Sequence, residues 1–133
     1  MKFTLALTPQ SKQRVRVTRA GRSYTPQQTR RFEASIRALT SHLEPMSGAL
    51  QMSVVFVCPR PKHIPKRLSA RQPKPTRPDL DNFTKALLDG LQGSCFADDA
   101  QLVQMSAVKV YAALNESPCI EIEIEPYRKD QTA

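Results

Sequence analysis

The nine residues LQMSVVFVC, from Leu50 to Cys58, decide the fold that we expect from this sequence. Apolar residues occupy every second position, which predicts one buried face of a β-strand. The intervening positions are partly apolar as well, and a strand that is apolar on both faces is typical of the middle of a sheet. The stretch therefore predicts a central strand with other elements on both sides.

Other strands are predicted at KFTLAL (2–7), LVQMSAVKVY (102–111) and CIEIEIE (119–125), and RVRVTRAGRSYT (14–25) predicts a basic hairpin turning near Gly21. The last strand alternates isoleucines, expected inside, with glutamates. Same-side residues on a strand lie about 7 Å apart, too far for one ion, so we interpret the glutamates as a solvated face. They are Glu121, Glu123 and Glu125.

Two helices are predicted. The first has Thr25 as N-cap, Pro26 at the first helical position and Gln28 completing a capping box, and it extends to about His42. Its expected buried stripe is Phe32, Ile36, Leu39 and Leu43. The second runs from about Asp81 to Leu91 and separates two stripes. The apolar stripe is Leu80, Phe83, Leu87 and Leu91, and the polar one is Asp81, Lys85 and Asp89.

The fold class that follows is α+β: one small domain over residues 1–133, with a mixed sheet packed against two main helices and a disordered tail over 127–133. No 18-residue apolar window exists, and the N-terminus does not resemble a signal peptide. The cysteines Cys58, Cys95 and Cys119 lack the spacing of a disulfide framework or a zinc site. We expect a soluble cytoplasmic protein with reduced, mostly packed thiols.

Charge points to a polyanionic partner. The chain has 20 Lys+Arg against 12 Asp+Glu, a net charge of +8, and sixteen of the basic residues precede Asp79. Residues 59–78 hold six prolines and seven Lys/Arg without an acid. This segment is either an exposed linker or a mobile arm that contacts a phosphate backbone, and we favour the arm because it directly precedes a group of aspartates.

That group lies in RPDLDNFTKALLDGLQGSCFADDAQ, residues 77–101, which contains five aspartates. Taken singly, Asp79 reads as a helix cap and Asp81 with Lys85 as a surface ion pair. Taken together, carboxylates at a helix start and a strand start, beside a basic arm, favour a site for Mg²⁺ and a DNA phosphate. Repulsion among the carboxylates would require cations.

The same residues resemble a known family. RPDLDNFTKALLDGL followed by FADDAQLV is similar to the D-x-D-N-x-x-K-x-x-x-D-x-L…D-D-x-Q pattern of the RusA family of Holliday-junction endonucleases, which are bacterial or phage-encoded. The resemblance extends over most of the chain. It implies that Asp79, Asp81 and Asp99 are catalytic, metal-binding acids and that Lys85 assists near the phosphate. Asn82, Asp89, Asp98 and Gln101 match as supporting residues, and whether Asp98 ligates metal or only orients Asp99 stays open.

The expected function is therefore Mg²⁺-dependent cleavage of four-way DNA junctions by paired symmetric nicks in recombination and repair, with Mn²⁺ as a substitute metal and a homodimer as the active form. Basic side chains would position the DNA backbone without reading sequence. They are Arg14, Arg16, Arg19, Arg22, Arg60, Lys62, Lys66, Arg67 and Arg71. The alternatives are a non-enzymatic DNA-binding module and a metal nuclease for other branched or single-stranded DNA.

Overall fold

A computed structural model describes residues 1–128. A five-stranded mixed sheet has the order β1-β7-β4-β6-β5, and β2 with β3 forms a separate hairpin. The strands are β1 (Lys2–Leu5), β2 (Arg16–Val17), β3 (Ser23–Tyr24), β4 (Leu50–Cys58), β5 (Gln72–Pro73), β6 (Leu102–Tyr111) and β7 (Cys119–Pro126). The helices are α1 (Gln27–Thr40) and α2 (Leu80–Leu91). The α+β class is confirmed.

The central position of β4 is also confirmed. It pairs in parallel with β6 and antiparallel with β7, and its alternating residues from Leu50 to Cys58 are buried. Both helices contribute to the same core, through Phe32 and Ile36 of α1 and Phe83 and Leu87 of α2. A parallel pair requires a long crossover, and the segment between β4 and β6 carries the basic arm, α2 and most of the aspartates.

The two helices approach each other closely at Gly90. A Cβ atom built on Gly90 would lie 2.7 Å from Cδ1 of Ile36, a distance that side chains do not tolerate without movement. Glycine is therefore required here by packing and not by backbone conformation. The contact fixes the distance between α1 and α2.

The first helix differs from its prediction at both ends. Pro26, not Thr25, is the N-cap residue, no side chain caps the helix, and the helix ends at Thr40. Leu39 is 47% exposed, whereas Thr40 is buried. Thr40 satisfies its hydroxyl by donating to Ile36 O at 2.7 Å and by sharing a 2.8 Å hydrogen bond with Ser94 Oγ, so a polar residue replaces the expected leucine in the stripe.

The basic segment 59–78 is bonded to the rest of the domain near both of its ends. Its residues Gln72 and Pro73 pair with the end of β6. Arg60 donates hydrogen bonds to four backbone carbonyls, those of Pro65, Leu68, Ala70 and Ala112. The prolines exclude a helix or an interior strand, as predicted, and the one strand of the segment, β5, lies at the edge of the sheet.

The glutamates of β7 are not a uniformly solvated face. Glu123 is exposed, but Glu121 is half-buried and pairs with Arg71, and Glu125 accepts a hydrogen bond from Gln51.

The three cysteines are free thiols, and burial raises the pKa of each. The predicted tail, residues 127–133, begins with a residue that is bonded to the domain: the Tyr127 N–H donates a hydrogen bond to Ala49 O at 3.0 Å. Residues 129–133 lie outside the described part of the chain.

Candidate active site

The loop that precedes α2 is held in place by side chains of β6. Lys109 Nζ donates to the carbonyls of Thr76 and Pro78, at 2.6 and 2.7 Å. Tyr111 OH shares a hydrogen bond of 2.9 Å with Thr76 Oγ1. Proline carries no N–H, so the loop 74–78 has few backbone donors of its own and depends on these contacts. Asp79 follows directly and is thereby positioned at the helix start.

Asp79 is the N-cap residue of α2, yet its side chain makes no capping hydrogen bond. Asp81 is exposed, and one of its carboxylate oxygens accepts from the Asn82 N–H at 3.1 Å. Since an N-cap aspartate ordinarily uses its carboxylate on the helix N–H groups, the free carboxylate of Asp79 is available to another partner. The simple capping interpretation of Asp79 is therefore not supported.

A groove of about 640 Å³ runs between α2 and β6. Asp81, Lys85 and Asp89 line it from the helix, Asp99 lines it from the turn before β6, and Met105 and Ala107 form its floor. The predicted polar stripe of α2 thus faces this groove. Three of the four proposed catalytic residues, Asp81, Lys85 and Asp99, line the same surface.

Asp99 begins a short 3-10 helix, Asp99–Gln101, that Asp98 and Gln101 stabilise. Asp98 Oδ1 accepts from the Ala100 N–H at 3.0 Å, and Gln101 Oε1 accepts from the Asp98 N–H at 3.1 Å. Gln101 Nε2 donates to the carbonyls of Met46 and Gly48, each at 3.0 Å. These contacts give Asp98 and Gln101 the geometry of a capping box that sets the position of Asp99.

The groove does not gather its aspartates around one point. The Asp99 N–H donates to Gln92 Oε1 at 3.3 Å, at the C-terminal end of α2, whereas Asp79 and Asp81 lie at its N-terminal end. The helix has 12 residues and so is about 18 Å long. Over residues 1–128, no three His, Cys, Asp or Glu side chains lie close enough to hold one metal ion. Over residues 1–128 of one chain, the structure does not bring the carboxylates of the helix start and of the strand start together around one ion.

The donor set nevertheless suits a hard cation. Among residues 1–128, no Lys or Arg nitrogen lies within 4.0 Å of a carboxylate oxygen of Asp79, Asp81, Asp98 or Asp99. Magnesium commonly binds through one or two carboxylates and keeps water or phosphate as its other ligands. Asp79 and Asp81, two residues apart at an exposed helix start, fit that requirement.

Lys85 is exposed and has no carboxylate within 4.0 Å in the described part of the chain. The surface ion pair between Asp81 and Lys85, which was the alternative interpretation, is therefore not formed in the described part of the chain. Its ammonium group remains free for an anion in the groove.

Asp89 has a different role from the other aspartates of the groove. Its carboxylate lies 2.9 Å from Lys12 Nζ, which also contacts Glu33 at 2.6 Å. Burial alone would lower the pKa of Lys12, but hydrogen bonds to Glu33 and Asp89 outweigh it and raise that pKa. Lys12 thus links the segment before the hairpin to both helices.

The basic residues fall into two groups. The side chains of Arg14, Arg16, Arg19, Arg22, Lys62, Lys66 and Arg67 are exposed. Arg71, in contrast, contacts Glu116 at 2.7 Å and Glu121 at 2.9 Å. Its hydrogen bonds lower the pKa of both carboxyls, and those to Glu121 and Glu116 raise its own. Arg60 and Arg71 therefore already have protein acceptors.

Sequence reasoning missed Lys74, Lys109 and Tyr111, which hold the loop before Asp79. Lys74 Nζ donates to Arg77 O at 2.8 Å and lies 5.1 Å from the centroid of the Tyr111 ring. A signal was available for one of them, since Lys109 is the only charged residue in the strand LVQMSAVKVY. A single lysine in an otherwise uncharged strand indicates a specific partner.

Comparison with known proteins identifies the family of the chain. Residues 6–125 match the model of the family described as endodeoxyribonuclease RusA. A protein of Bacillus subtilis (strain 168), the uncharacterized protein YqaN, is 27% identical over 109 residues, covering 74% of this chain and 75% of that protein. No helix over residues 1–128 is long and apolar enough to cross a membrane. The family match covers most of the chain, including α2 and β6, which carry the groove, and the chain therefore belongs to the RusA endodeoxyribonuclease family.

Proposed function

We propose that this protein is a Mg²⁺-dependent endodeoxyribonuclease that resolves four-way DNA junctions by paired symmetric nicks. The observation that carries the proposal is a groove, in a chain of the RusA family, whose aspartates at both ends have no cationic partner in the described residues. Carboxylates without counter-cations repel one another and the DNA. A divalent cation relieves both repulsions.

Asp79 and Asp81 are the proposed magnesium ligands on one chain, and Asp99 supplies a further carboxylate. A bound magnesium ion supplies an activated water and stabilises the leaving oxygen in phosphodiester hydrolysis. Lys85 reaches the non-bridging phosphate oxygens from the wall of the groove, where its ammonium stabilises developing negative charge. Asp98 serves to orient Asp99, because its carboxylate caps the short 3-10 helix that Asp99 begins.

The active form that we propose is a homodimer in which each site combines two chains. Asp81 and Asp99 lie at opposite ends of α2, so a two-fold axis that sets two such helices antiparallel brings Asp99 of one copy to Asp81 of the other. The strand beside the groove supports such a contact. Its residue Val103 is 56% exposed, and β5 covers only Val110 and Tyr111 of β6 in the described part of the chain.

The DNA contacts that we propose are the exposed basic side chains of the hairpin and of the arm, Arg14, Arg16, Arg19, Arg22, Lys62, Lys66 and Arg67. They contact phosphates without reading base sequence. Arg60 and Arg71 stabilise the arm and are not among the proposed DNA contacts, because their guanidinium groups are bonded within the protein.

The test is cleavage of a labelled synthetic four-way junction with and without Mg²⁺. The proposal expects two symmetric nicks that need the metal. Binding without any cleavage would favour the non-enzymatic module, and faster cutting of flaps or single strands would favour another nuclease specificity.

A mixing experiment tests the shared site. Asp81→Asn and Asp99→Asn are each expected to be inactive, but a heterodimer of the two contains one site with all its carboxylates and one without. When equal amounts of the two variants are mixed, about half of the dimers should be heterodimers, as random pairing predicts. Each heterodimer should cut one strand, so the mixture should regain single nicks. If the mixture stays inactive although mass spectrometry shows heterodimers, each site lies within one chain.

A further inference from the structure

A second cavity lies across the first turn of α2 from the groove. It holds about 270 Å³. Its walls come from residues 9–13, the start of α1, the end of β4 and the loop 74–78. Pro78 and Phe83 line this cavity, whereas Asp81 and Thr84 line the groove, so one helical turn separates the two spaces. Asp79, between Pro78 and the helix, lies at that partition.

The lining of the cavity combines amide groups with flat apolar surfaces. The side chains of Gln10, Gln13 and Gln28 belong to it, with Ser11 beside them. Prolines and Phe83 supply the apolar walls, Lys74 adds one cation, and no carboxylate lines it. Amides both donate and accept hydrogen bonds in one plane, and apolar faces stack on planar ligands.

One of these amides lacks a partner. The Oε1 atom of Gln10 is buried and accepts no hydrogen bond from residues 1–128. By contrast, Gln13 Nε2 donates to Gln28 Oε1 at 3.1 Å, and the Thr29 hydroxyl donates to Gln13 Oε1 at 3.3 Å. An unpaired buried acceptor destabilises a fold, and a rotation of the Gln10 side chain would bring its amide to a ligand in the cavity that Gln10 lines.

We infer that this cavity receives one unpaired nucleobase of the bound DNA, next to the nucleotide whose phosphate lies at Asp79. The inference rests on the proposed function, which brings DNA to that turn. Glutamine amides recognise the hydrogen-bonding edges of bases, and unstacked bases are held between apolar faces. The volume equals roughly nine waters, which suits a single base. The basic hairpin begins directly after Gln13 and can hold the flanking phosphates.

The first measurement uses the unaltered protein and needs no cleavage. Junctions carry 2-aminopurine at one of the four nucleotides around the branch point, and fluorescence is recorded in EDTA. One position should brighten on binding by about threefold or more, because a base in the cavity leaves its stack. The same probe placed in the duplex arms is the control. No brightening at any branch-point position would overturn the inference.

The second measurement uses Gln10→Leu. The variant should melt at or above the wild-type temperature, because it removes a buried acceptor without a partner. Its discrimination between bases at the brightened position, measured as relative cleavage of the four sequence variants, should fall about tenfold. Gln51→Leu is the matched control, since Gln51 Oε1 is also buried and unpaired but lies outside the cavity. That variant should keep the wild-type discrimination.

If Gln10→Leu fails to fold, Ser11→Val narrows the same cavity from another wall and should suppress the fluorescence change. Unaltered discrimination in folded Gln10→Leu would reject the base pocket while leaving junction cleavage intact. Brightening without any Mg²⁺-dependent cleavage would instead support the pocket and reject the proposed activity.

Discussion

The hairpin and the arm are similarly basic in sequence, and the structure treats their arginines differently. Arg14, Arg16, Arg19 and Arg22 of the hairpin are exposed. In the arm, Arg60 is bonded to carbonyls and Arg71 to two carboxylates. Burial and partners, not residue type, thus decide which cations remain for DNA. The acids divide in the same manner, since Glu116 and Glu121 are paired and Asp79 and Asp81 are not.

The largest effect should follow from removing an unpaired carboxylate. Asp81→Asn or Asp99→Asn should slow junction cleavage by about 100-fold or more, with binding unchanged or tighter, because each loses a proposed metal ligand and a charge that repels DNA. Single-turnover cleavage and gel-shift affinity measure both. Glu123→Gln is the control, since Glu123 is exposed and outside the groove. Equal losses of binding and cutting would mean that the aspartates are structural.

The unpaired cation of the groove comes next. Lys85→Ala should cut about 100-fold more slowly at saturating Mg²⁺, as expected for a charge that stabilises the transition state, and should melt within a few degrees of wild type. Thermal melting and single-turnover kinetics decide between the roles. Near-normal cutting would show that the free ammonium plays no part in the chemistry.

A smaller effect is expected from the exposed cations of the arm. Lys62→Ala, Lys66→Ala and Arg67→Ala combined should weaken junction binding and reduce the slope of log affinity against log salt by about three, roughly 0.9 for each lost phosphate contact. Fluorescence anisotropy over a series of salt concentrations measures the slope. An unchanged slope would identify the arm as a linker, and the hairpin would then carry the contacts.

The paired charges should affect stability and its pH dependence. Arg71→Ala should cost about 1–2 kcal/mol at neutral pH, a typical value for hydrogen bonds between charged groups that are partly exposed. The pKa of Glu116 and of Glu121 is lowered in the folded state by hydrogen bonds from Arg71, so their contribution is complete above the ordinary value of about 4.5 and disappears as the pH falls through the lowered values. Melting curves of both proteins from pH 3 to 7 should therefore converge in acid. A constant gap would contradict the ion pairs.

The sequence predicted the sheet and both helices because period-2 and period-3.6 patterns report burial directly. It placed β6 over Leu102–Tyr111 and the apolar stripe of α2 correctly. The end of α1 and the exposure of Leu39 could not be predicted from the sequence. They depend on the burial of Thr40, whose hydroxyl group shares a hydrogen bond with Ser94, a residue distant in sequence. Local spacing also could not show that α2 holds Asp81 and Asp99 apart, or that Arg60 and Arg71 are internally bonded. Those facts depend on contacts far along the chain.

The parallel pairing of β4 with β6 has a consequence for the order of folding. Residues 59–101 form a closed loop between these strands, and Asp79, Asp81 and Asp99 all lie inside it. Closing a loop of this length is entropically costly, and its contacts repay that cost only after β6 has docked. The loop before α2 is held by Lys109 and Tyr111, near the end of β6. The nuclease groove therefore takes shape late, once translation has passed β6, and a nascent chain that stops earlier carries its aspartates without the geometry to use them.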